Sequence, residues 1–496
     1  MSNFTGFDFF RPALAGLAAT ALVTLAACGG GGSDSNDDGT GPTPQGPTTG
    51  AVAVLLTDAP TDEFCQILAT VESIDLLSDS GSPTNVFVGP ETVNLLDLRN
   101  YTDFFSIDPV VPVGTYSKVR MTLSDLALVQ CDAAGVPEPE AGWEHPRLPG
   151  NGKLDLNPRG TFQVVGGETL VIELDMDMNK SLHVHQTGNG RWQFRPVVFV
   201  TIRPDDTKLV RVFGRVENLG ATSFELCPVE PVSSMDDDQS APSTECIDVF
   251  TDAETGIFDE TGTPVDMSAV ANDDLLTAIG FLGLYDNGDA DSRLDDLRLN
   301  AVVLELGALD TFERILGAVV AAPGTNGIFE FDGAPIDPAT GVFDVLLQPG
   351  TRIFALGSNE ELSAIAPQPG ILGEVNGVFT APLTSGEPLK LSLVVLDQDT
   401  TPEVSLLDGS ITAIDATVPT TPRLTINATG VTGQCVTTDA TTRYVQITES
   451  GSASETAEIL PSGLAVGNSV DVYGTTDAVN AGCVLADTIQ KYVTAP

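Results

Sequence analysis

Leu297-Arg-Leu-Asn-Ala-Val-Val-Leu-Glu305 returns 92 residues on as Leu389-Lys-Leu-Ser-Leu-Val-Val-Leu-Asp397. A weaker third copy, Val484-Leu-Ala-Asp-Thr-Ile-Gln490, follows at nearly the same step and places Ala486 opposite Leu393. A Gly-x-(Val/Ile) triplet opens each unit: Gly214-Arg-Val216, Gly317-Ala-Val319 and Gly409-Ser-Ile411. Self-similarity at a fixed period marks a repeat architecture. Units of roughly 95 residues are large enough to be small domains rather than coils of a solenoid. Their strand-and-turn patterning predicts three small β-barrels or β-sandwiches, over 209–307, 311–399 and 403–493. The first unit is the longest. Its surplus falls in the acidic loop between Cys227 and Cys246, which carries Asp236-Asp-Asp238.

Upstream of the repeats, from 51 to 205, apolar–polar alternation comes in short bursts. Ala51-Val-Ala-Val-Leu-Leu-Thr57, Lys118-Val-Arg-Met-Thr-Leu-Ser124 and Thr169-Leu-Val-Ile-Glu-Leu-Asp-Met-Asp177 are the clearest. A period of two, Val/Ile/Thr enrichment and Gly/Pro/Asp punctuation read as antiparallel strands. Several of them over some 150 residues predict a two-sheet sandwich around one core. Pro112-Val-Gly-Thr-Tyr116 is similar to the strand entry of prealbumin-like and immunoglobulin-like sandwiches. The fold class expected is therefore mainly β.

Four motifs occur in order in this first domain: Leu56-Thr-Asp-Ala-Pro60, Asn94-Leu-Leu-Asp-Leu98, Gly152-Lys-Leu-Asp-Leu-Asn-Pro-Arg-Gly160 and Gly188-Asn-Gly-Arg-Trp-Gln-Phe-Arg-Pro196. Together they resemble domain-of-unknown-function family 4382, a bacterial lipoprotein domain. The resemblance implies an exported β domain with no assigned activity, and it supplies no catalytic residue. Val470-Asp-Val-Tyr-Gly474 and Cys483-Val-Leu-Ala-Asp-Thr-Ile489 make the third repeat resemble domain-of-unknown-function family 5666, which implies export again. The first two repeats depart further from that pattern.

The N-terminus predicts the compartment. Arg11 precedes an apolar run, Pro12–Ala27, that is shorter than the ~20 residues a membrane-spanning helix needs and suits a signal peptide. Leu25-Ala-Ala-Cys28 resembles a bacterial lipobox, which implies cleavage after Ala27 and acylation of Cys28. Residues 28–50 are Gly-, Ser-, Pro- and Asp-rich, have nothing to bury and read as a flexible tether. Acyl chains contribute about 0.8 kcal/mol per buried CH₂, so two or more anchor durably. Gly29 after the cysteine resembles the pattern of lipoproteins sent to an outer membrane. The expected location is the cell envelope, on the membrane through a lipid anchor.

Composition excludes other classes. Lys+Arg number 22 against 69 Asp+Glu, a formal charge of −47. That surplus excludes nucleic-acid binding through a basic footprint and docking on anionic lipid through Lys/Arg clusters. With 42% apolar residues the chain can nonetheless bury several cores.

Setting Cys28 aside leaves six cysteines, which allow 15 pairings. They fall two by two into separate segments, and this predicts Cys65–Cys131, Cys227–Cys246 and Cys435–Cys483 in an oxidising compartment.

Catalytic signatures are missing from the sequence: no His-Glu-x-x-His, Gly-x-Ser-x-Gly, Walker loop or Gly-x-Gly-x-x-Gly occurs. The three histidines are His145, His183 and His185. His183 and His185 would share a strand face and could reach one metal, with Glu173, Asp175 or Asp177 as a further ligand; alternatively they are polar side chains on a surface strand. Asp175-Met-Asp-Met-Asn179 and Asp286-Asn-Gly-Asp289-Ala-Asp291 place carboxylates at near-alternate positions, as Ca²⁺ sites do, but neither completes an EF-hand loop. Solvated acidic turns explain them equally. No cofactor is required, Ca²⁺ being the one considered.

The functional expectation is a lipid-anchored binding or structural module of the envelope, facing an envelope or extracellular polymer or protein, with no catalytic activity inferred. Two alternatives stay open: a calcium-dependent adhesin or matrix protein, and a hydrolase with its site near His183 and His185.

Overall fold

The computed structural model describes residues 48–57, 64–78, 83–98, 102–131, 137–184, 192–202, 208–229, 246–284, 297–334, 341–359, 361–381, 386–398, 403–449 and 454–494. Cys28, the 1–27 segment, His185, Asp286, Asp289 and Asp291 lie outside the described residues. The protein is mainly β.

Twelve strands build the first domain: β1 (Thr49–Thr57), β2 (Gln66–Leu77), β3 (Thr84–Asn94), β4 (Thr102–Pro112), β5 (Gly114–Tyr116), β6 (Lys118–Val129), β7 (Lys153–Asn157), β8 (Phe162–Val164), β9 (Thr169–Met176), β10 (Leu182–Val184), β11 (Trp192–Phe194) and β12 (Val198–Ile202). A one-turn helix, α1 (Met178–Ser181), follows β9. Strands β12-β9-β1-β4 form one sheet and β7-β6-β2-β3 lie together in a second. Period two decides what each strand buries. Val52, Val54 and Leu56 of β1, with Ile172 and Leu174 of β9, pack across from Ile67, Ala69 and Val71 of β2 and Val119 and Met121 of β6. This is the sandwich that alternation predicts, with one correction to the expected antiparallel pairing: β1 and β9 run parallel, because side-chain alternation is the same for either direction and does not set it. Thr49 and Gly50, read from sequence as the end of the tether, belong to β1: they pair with Pro112 and Val111, and a ladder partner rather than side-chain pattern sets the strand's start.

The rest of the chain forms three closed barrels. The first contains β13 (Val210–Glu217), β14 (Ser223–Pro228), β15 (Ile247–Phe250), β16 (Gly256–Phe258), β17 (Pro264–Val265), β18 (Leu275–Leu284) and β19 (Leu297–Leu306). The second contains β20 (Glu313–Val319), β21 (Ile328–Ala334), β22 (Gly341–Ala355), β23 (Leu372–Val378) and β24 (Leu389–Asp397). The third contains β25 (Glu403–Asp415), β26 (Arg423–Ala428), β27 (Val431–Thr437), β28 (Arg443–Glu449), β29 (Ser454–Glu458), β30 (Ser469–Thr476) and β31 (Cys483–Thr494).

One pairing scheme closes all three. In the first barrel β13 pairs β14, β14 pairs β15, β15 runs parallel to β19, and β18 bridges β19 back to β13. The second barrel repeats this as β20-β21-β22-β24-β23 and the third as β25-β26-β27-β31-β30. Five strands in this order make an OB-type barrel. A glycine recurs where the fourth strand bulges against the fifth. At Gly280, Gly377 and Gly474 a Cβ would lie 2.1 to 2.3 Å from the carbonyl oxygens of Asn300, Lys390 and Leu485. No side chain fits there, and the bulge gives each barrel its local bend.

The domains are not strung out in a line. Val210 and Arg211 of β13 pair in parallel with Thr102 and Asp103 of β4, so the first sheet runs on into barrel 1. Ala53, Leu55 and Val171, on the outer face of that sheet, join the core of barrel 1. The third barrel returns to the first domain, because β29 pairs in parallel with β7. Barrel 2 rests on barrel 1 through Ile279 and Val303 on one side and Phe354, Val378, Leu393 and Val395 on the other.

Three disulfides join Cys65 to Cys131, Cys227 to Cys246 and Cys435 to Cys483. Among the described residues no helix is long and apolar enough to cross a membrane.

Candidate functional site

The densest group of buried ionisable side chains sits on the seam between the first domain and barrel 3. Where β9 ends, Asp177 becomes the N-cap of α1 and its Oδ1 accepts the Lys180 amide at 2.9 Å. One turn of helix folds the Lys180 side chain back, so that its ammonium donates to Asp177 Oδ2 at 2.7 Å. Lys180 is only 7% exposed. A lysine so buried needs partners, and barrel 3 provides two more: Asp487 at 3.4 Å and Glu403 at 3.8 Å. Asn179 holds Glu403 by donating to its Oε2 at 2.8 Å. The ammonium also stands 5.5 Å from the centre of the Tyr473 ring, a cation–π contact.

Charge states follow from this geometry. Burial works against the Lys180 cation, but Asp177, Asp487 and Glu403 outweigh it and raise the lysine's pKa. The ammonium therefore stays charged and is no nucleophile. Burial raises the carboxyls of Asp177 and Glu403, with Lys180 opposing in both cases. Tyr473 is held protonated by burial and by the nearby carboxylates Asp471, Asp177 and Glu403.

A second layer of the seam lies alongside. Buried Asp471 accepts the Asp408 amide, and the Tyr492 hydroxyl lies 2.9 Å from its Oδ2 and 2.6 Å from Gln490 Oε1. Burial pushes the Asp471 carboxyl up. Arg195 stacks 4.6 Å from the Tyr492 ring centre, and Arg443 lies 3.5 Å from that of Phe199. Val197 and Phe199 then meet Val445 and Ile447 to seal this edge.

The candidate residues read from sequence divide in three. Asp175 and Asp177 are neighbours in the fold, but neither sits in a solvated turn or a loop of calcium-binding form. Both oxygens of Asp177 carry Lys180. Asp175 stands on the outward face of β9 with Glu173, which takes Lys208 at 2.9 Å. Part of its surface meets solvent, yet burial dominates and pushes its carboxyl up to about 6, with Lys208 opposing and Asp177 and Glu173 adding repulsion. A carboxyl poised there can exchange a proton near neutral pH. His183 lies on β10 opposite Gln193. Asp286, Asp289 and Asp291 fall outside the described residues.

Among the described residues, one group of metal-ligating side chains converges: Glu217, Cys227 and Cys246, whose ligating atoms lie within 4.8 Å of one another. Two of its three members are joined in a disulfide, so it offers no thiolate. His145 meets Asp125 at 3.0 Å in an exposed pair.

Sequence reasoning missed Lys180, Glu403, Asp471, Tyr473 and Asp487. The available signal was the lysine itself: it follows Asp177 by three residues inside Met178-Asn-Lys-Ser-Leu182, where a capping acid can claim it.

A second buried cluster joins barrels 1 and 2. Ser392 donates to Glu305 Oε1 at 2.5 Å, and Arg314 pairs with Glu374 at 3.0 Å. Burial raises the Glu305 carboxyl, with Arg211 opposing.

Residues 49–196, the first domain up to but not including β12, match the model of the family described as Domain of unknown function (DUF4382). The match covers less than a third of the chain. No curated protein and no solved structure matches the chain.

Proposed function

We propose that the protein is an exported lipoprotein, anchored through Cys28, whose body is a binding or structural module of the cell envelope. One observation carries this reading. In barrels 2 and 3 the fourth and fifth strands, β23–β24 and β30–β31, face a neighbouring domain, and outward residues of the second and third strands are exposed to solvent. Those include Glu330 and Asp332 of β21, Asp344 of β22, Arg423 and Asn427 of β26 and Thr432 of β27. In an OB-type barrel this is the ligand-facing side, although a fold alone assigns no ligand. Two such faces on one preordered body let weak contacts add with little ordering cost. The lipobox, the tether and the distributed acidity support the envelope setting.

The test has two arms. Cys28→Ala in the full chain should move the protein from the membrane fraction to the soluble one; retention on the membrane would refute the anchor. The same variant should be retained on an insoluble envelope polymer without turning it over. Turnover that a single point substitution abolishes would replace the module with an enzyme.

A further inference from the structure

The disulfide of the third barrel sits in an environment that the first barrel's does not share. Cys435 on β27 and Cys483 on β31 are register partners across the parallel seam that closes the barrel, with Cα atoms 4.6 Å apart. Arg423 of β26 reaches over this seam. Its Nε donates to Cys435 Sγ at 3.0 Å and an Nη2 hydrogen to Cys483 Sγ at 3.1 Å. Asp415, the register partner of Arg423, accepts the Thr417 amide and hydroxyl and also attracts the guanidinium, so Arg423 is shared between this carboxylate and the two sulfurs. Cys435 is half-buried, whereas Cys483 is only 4% exposed. At Cys227–Cys246 the neighbour is a carboxylate: Glu217 and the two sulfurs lie within 4.8 Å of one another.

A guanidinium beside a sulfur stabilises the thiolate, and a carboxylate destabilises it. The leaving thiol's acidity sets how readily a disulfide opens. We propose that Cys435–Cys483 is a thiol–disulfide exchange site, opened by a dithiol reductant that attacks Cys435 while Cys483 leaves as a thiolate held by Arg423.

In the first step the reductant's thiolate forms a bond to Cys435 Sγ. The Cys435–Cys483 bond breaks, and its electron pair goes to Cys483 Sγ beside Arg423 Nη2. In the second step the reductant's other thiol loses its proton to water and attacks its own sulfur in the mixed disulfide. This releases Cys435 as a thiolate beside Arg423 Nε. The dithiol leaves as an internal disulfide, having given two electrons. Opening loosens a seam of three residue pairs, Cys435 with Cys483, Val436 with Val484 and Thr437 with Leu485. Meanwhile β28 keeps its pairing to the second half of β31, and β29 its pairing to β7. The site would therefore change barrel 3 locally without detaching it. This inference does not depend on the lipid anchor or the binding role proposed above.

The experiment treats the full chain with limiting dithiothreitol, alkylates at intervals and follows each cysteine pair by mass spectrometry. Cys435–Cys483 should open before Cys227–Cys246. Arg423→Ala should slow its opening by about threefold to tenfold, leave the other two pairs at their wild-type rates and be partly rescued by Arg423→Lys. The other pairs report whether the variant still folds. Independently, the fully reduced wild-type protein should show a Cys435 or Cys483 alkylation pH profile with a midpoint below the ordinary thiol value of about 8.5. Opening of Cys227–Cys246 first, or a midpoint at or above the ordinary value, would overturn the proposal.

Discussion

The interface of barrel 1 with barrel 2 and that of barrel 3 with the first domain use equivalent strands and opposite chemistry. Between barrels 1 and 2 the outward residues of the fourth and fifth strands are Ile279, Val303, Val378, Leu393 and Val395, closed by Phe354. At the same strand positions barrel 3 presents Asp471, Tyr473, Thr488 and Gln490, all buried against the first domain. One barrel face can thus be sealed by oil or by a polar network. Apolar sealing is forgiving, because its energy scales with area. A buried ionic network is unforgiving, since each partner lost leaves the rest uncompensated.

That contrast can be broken most sharply at Lys180. Lys180→Met leaves Asp177 buried without its cation and should cost about 3–5 kcal/mol in urea denaturation, whereas adding Asp177→Asn should restore much of it. Equal losses in the single and double variants would remove the ionic account. On the apolar side Leu393→Ala should cost about 3 kcal/mol, from lost transfer energy and the cavity left behind, with no pH dependence of its own. A loss that changes with pH would show that Glu305 and its partners, not the apolar contact, hold barrels 1 and 2 together.

Acidity should separate the two interfaces next. Asp175 has a folded pKa of about 6, above its unfolded value near 3.9. Its stabilising contribution is fully present below the unfolded value and is lost as pH rises through about 6. Asp175→Asn should therefore be more stable than wild type at pH 7.5, by at most about 3 kcal/mol, and no more stable at pH 3.5. A gain independent of pH would place its origin elsewhere.

A smaller effect of the opposite sign is expected inside the network. The Tyr473 hydroxyl is buried with no hydrogen-bond partner among the described residues. Tyr473→Phe should be neutral or stabilising by about 1 kcal/mol, and marked destabilisation would reveal a partner such as an ordered water. Lys118→Ala removes the partly buried 2.8 Å pair with Glu455, also a bridge between the first domain and barrel 3. It should cost less than about 1 kcal/mol and nothing in high salt.

The two interfaces also differ in how far they were legible in the chain. Strand alternation is local chemistry, so Ala51–Thr57, Lys118–Ser124 and Thr169–Met176 read directly as strands, and the mainly β class follows. Leu297–Glu305 and Leu389–Asp397 coincide with β19 and with β24, the fifth strand of each barrel, but the register read from sequence is off by two: next to the bulge Val303, Leu393 and Thr488 are equivalent, and Ala486 matches Leu391 rather than Leu393. Their Val-Val-Leu cores signal burial on both faces, and the interface of barrels 1 and 2 accounts for the second one. The polar seam carries no such signal. Asp471 and Tyr473 alternate with buried Val470 and Val472 as solvent-facing residues would, and only a strand from another part of the chain buries them. Lys180 could not be recognised as the centre of a network, because its partners Glu403 and Asp487 lie hundreds of residues away. Gly280, Gly377 and Gly474 were available as a signal, each 97 residues after the one before, but a bulge glycine is recognisable only once its opposing carbonyl is known.

The parallel pairing of β29 with β7 has a consequence for how the molecule is made. Residues Lys153–Asn157 present an open strand edge until Ser454–Glu458 have been synthesised and barrel 3 has closed. Contacts of such long sequence separation form late, after the entropy of closing the intervening loop has been met. Throughout that interval an unpaired edge is a template for wrong partners, including other copies of the nascent chain. Lys153, exposed on β7, places charge beside that edge, which discourages such pairing while leaving it open to β29. The last barrel to be made is in this sense the cap of the first domain.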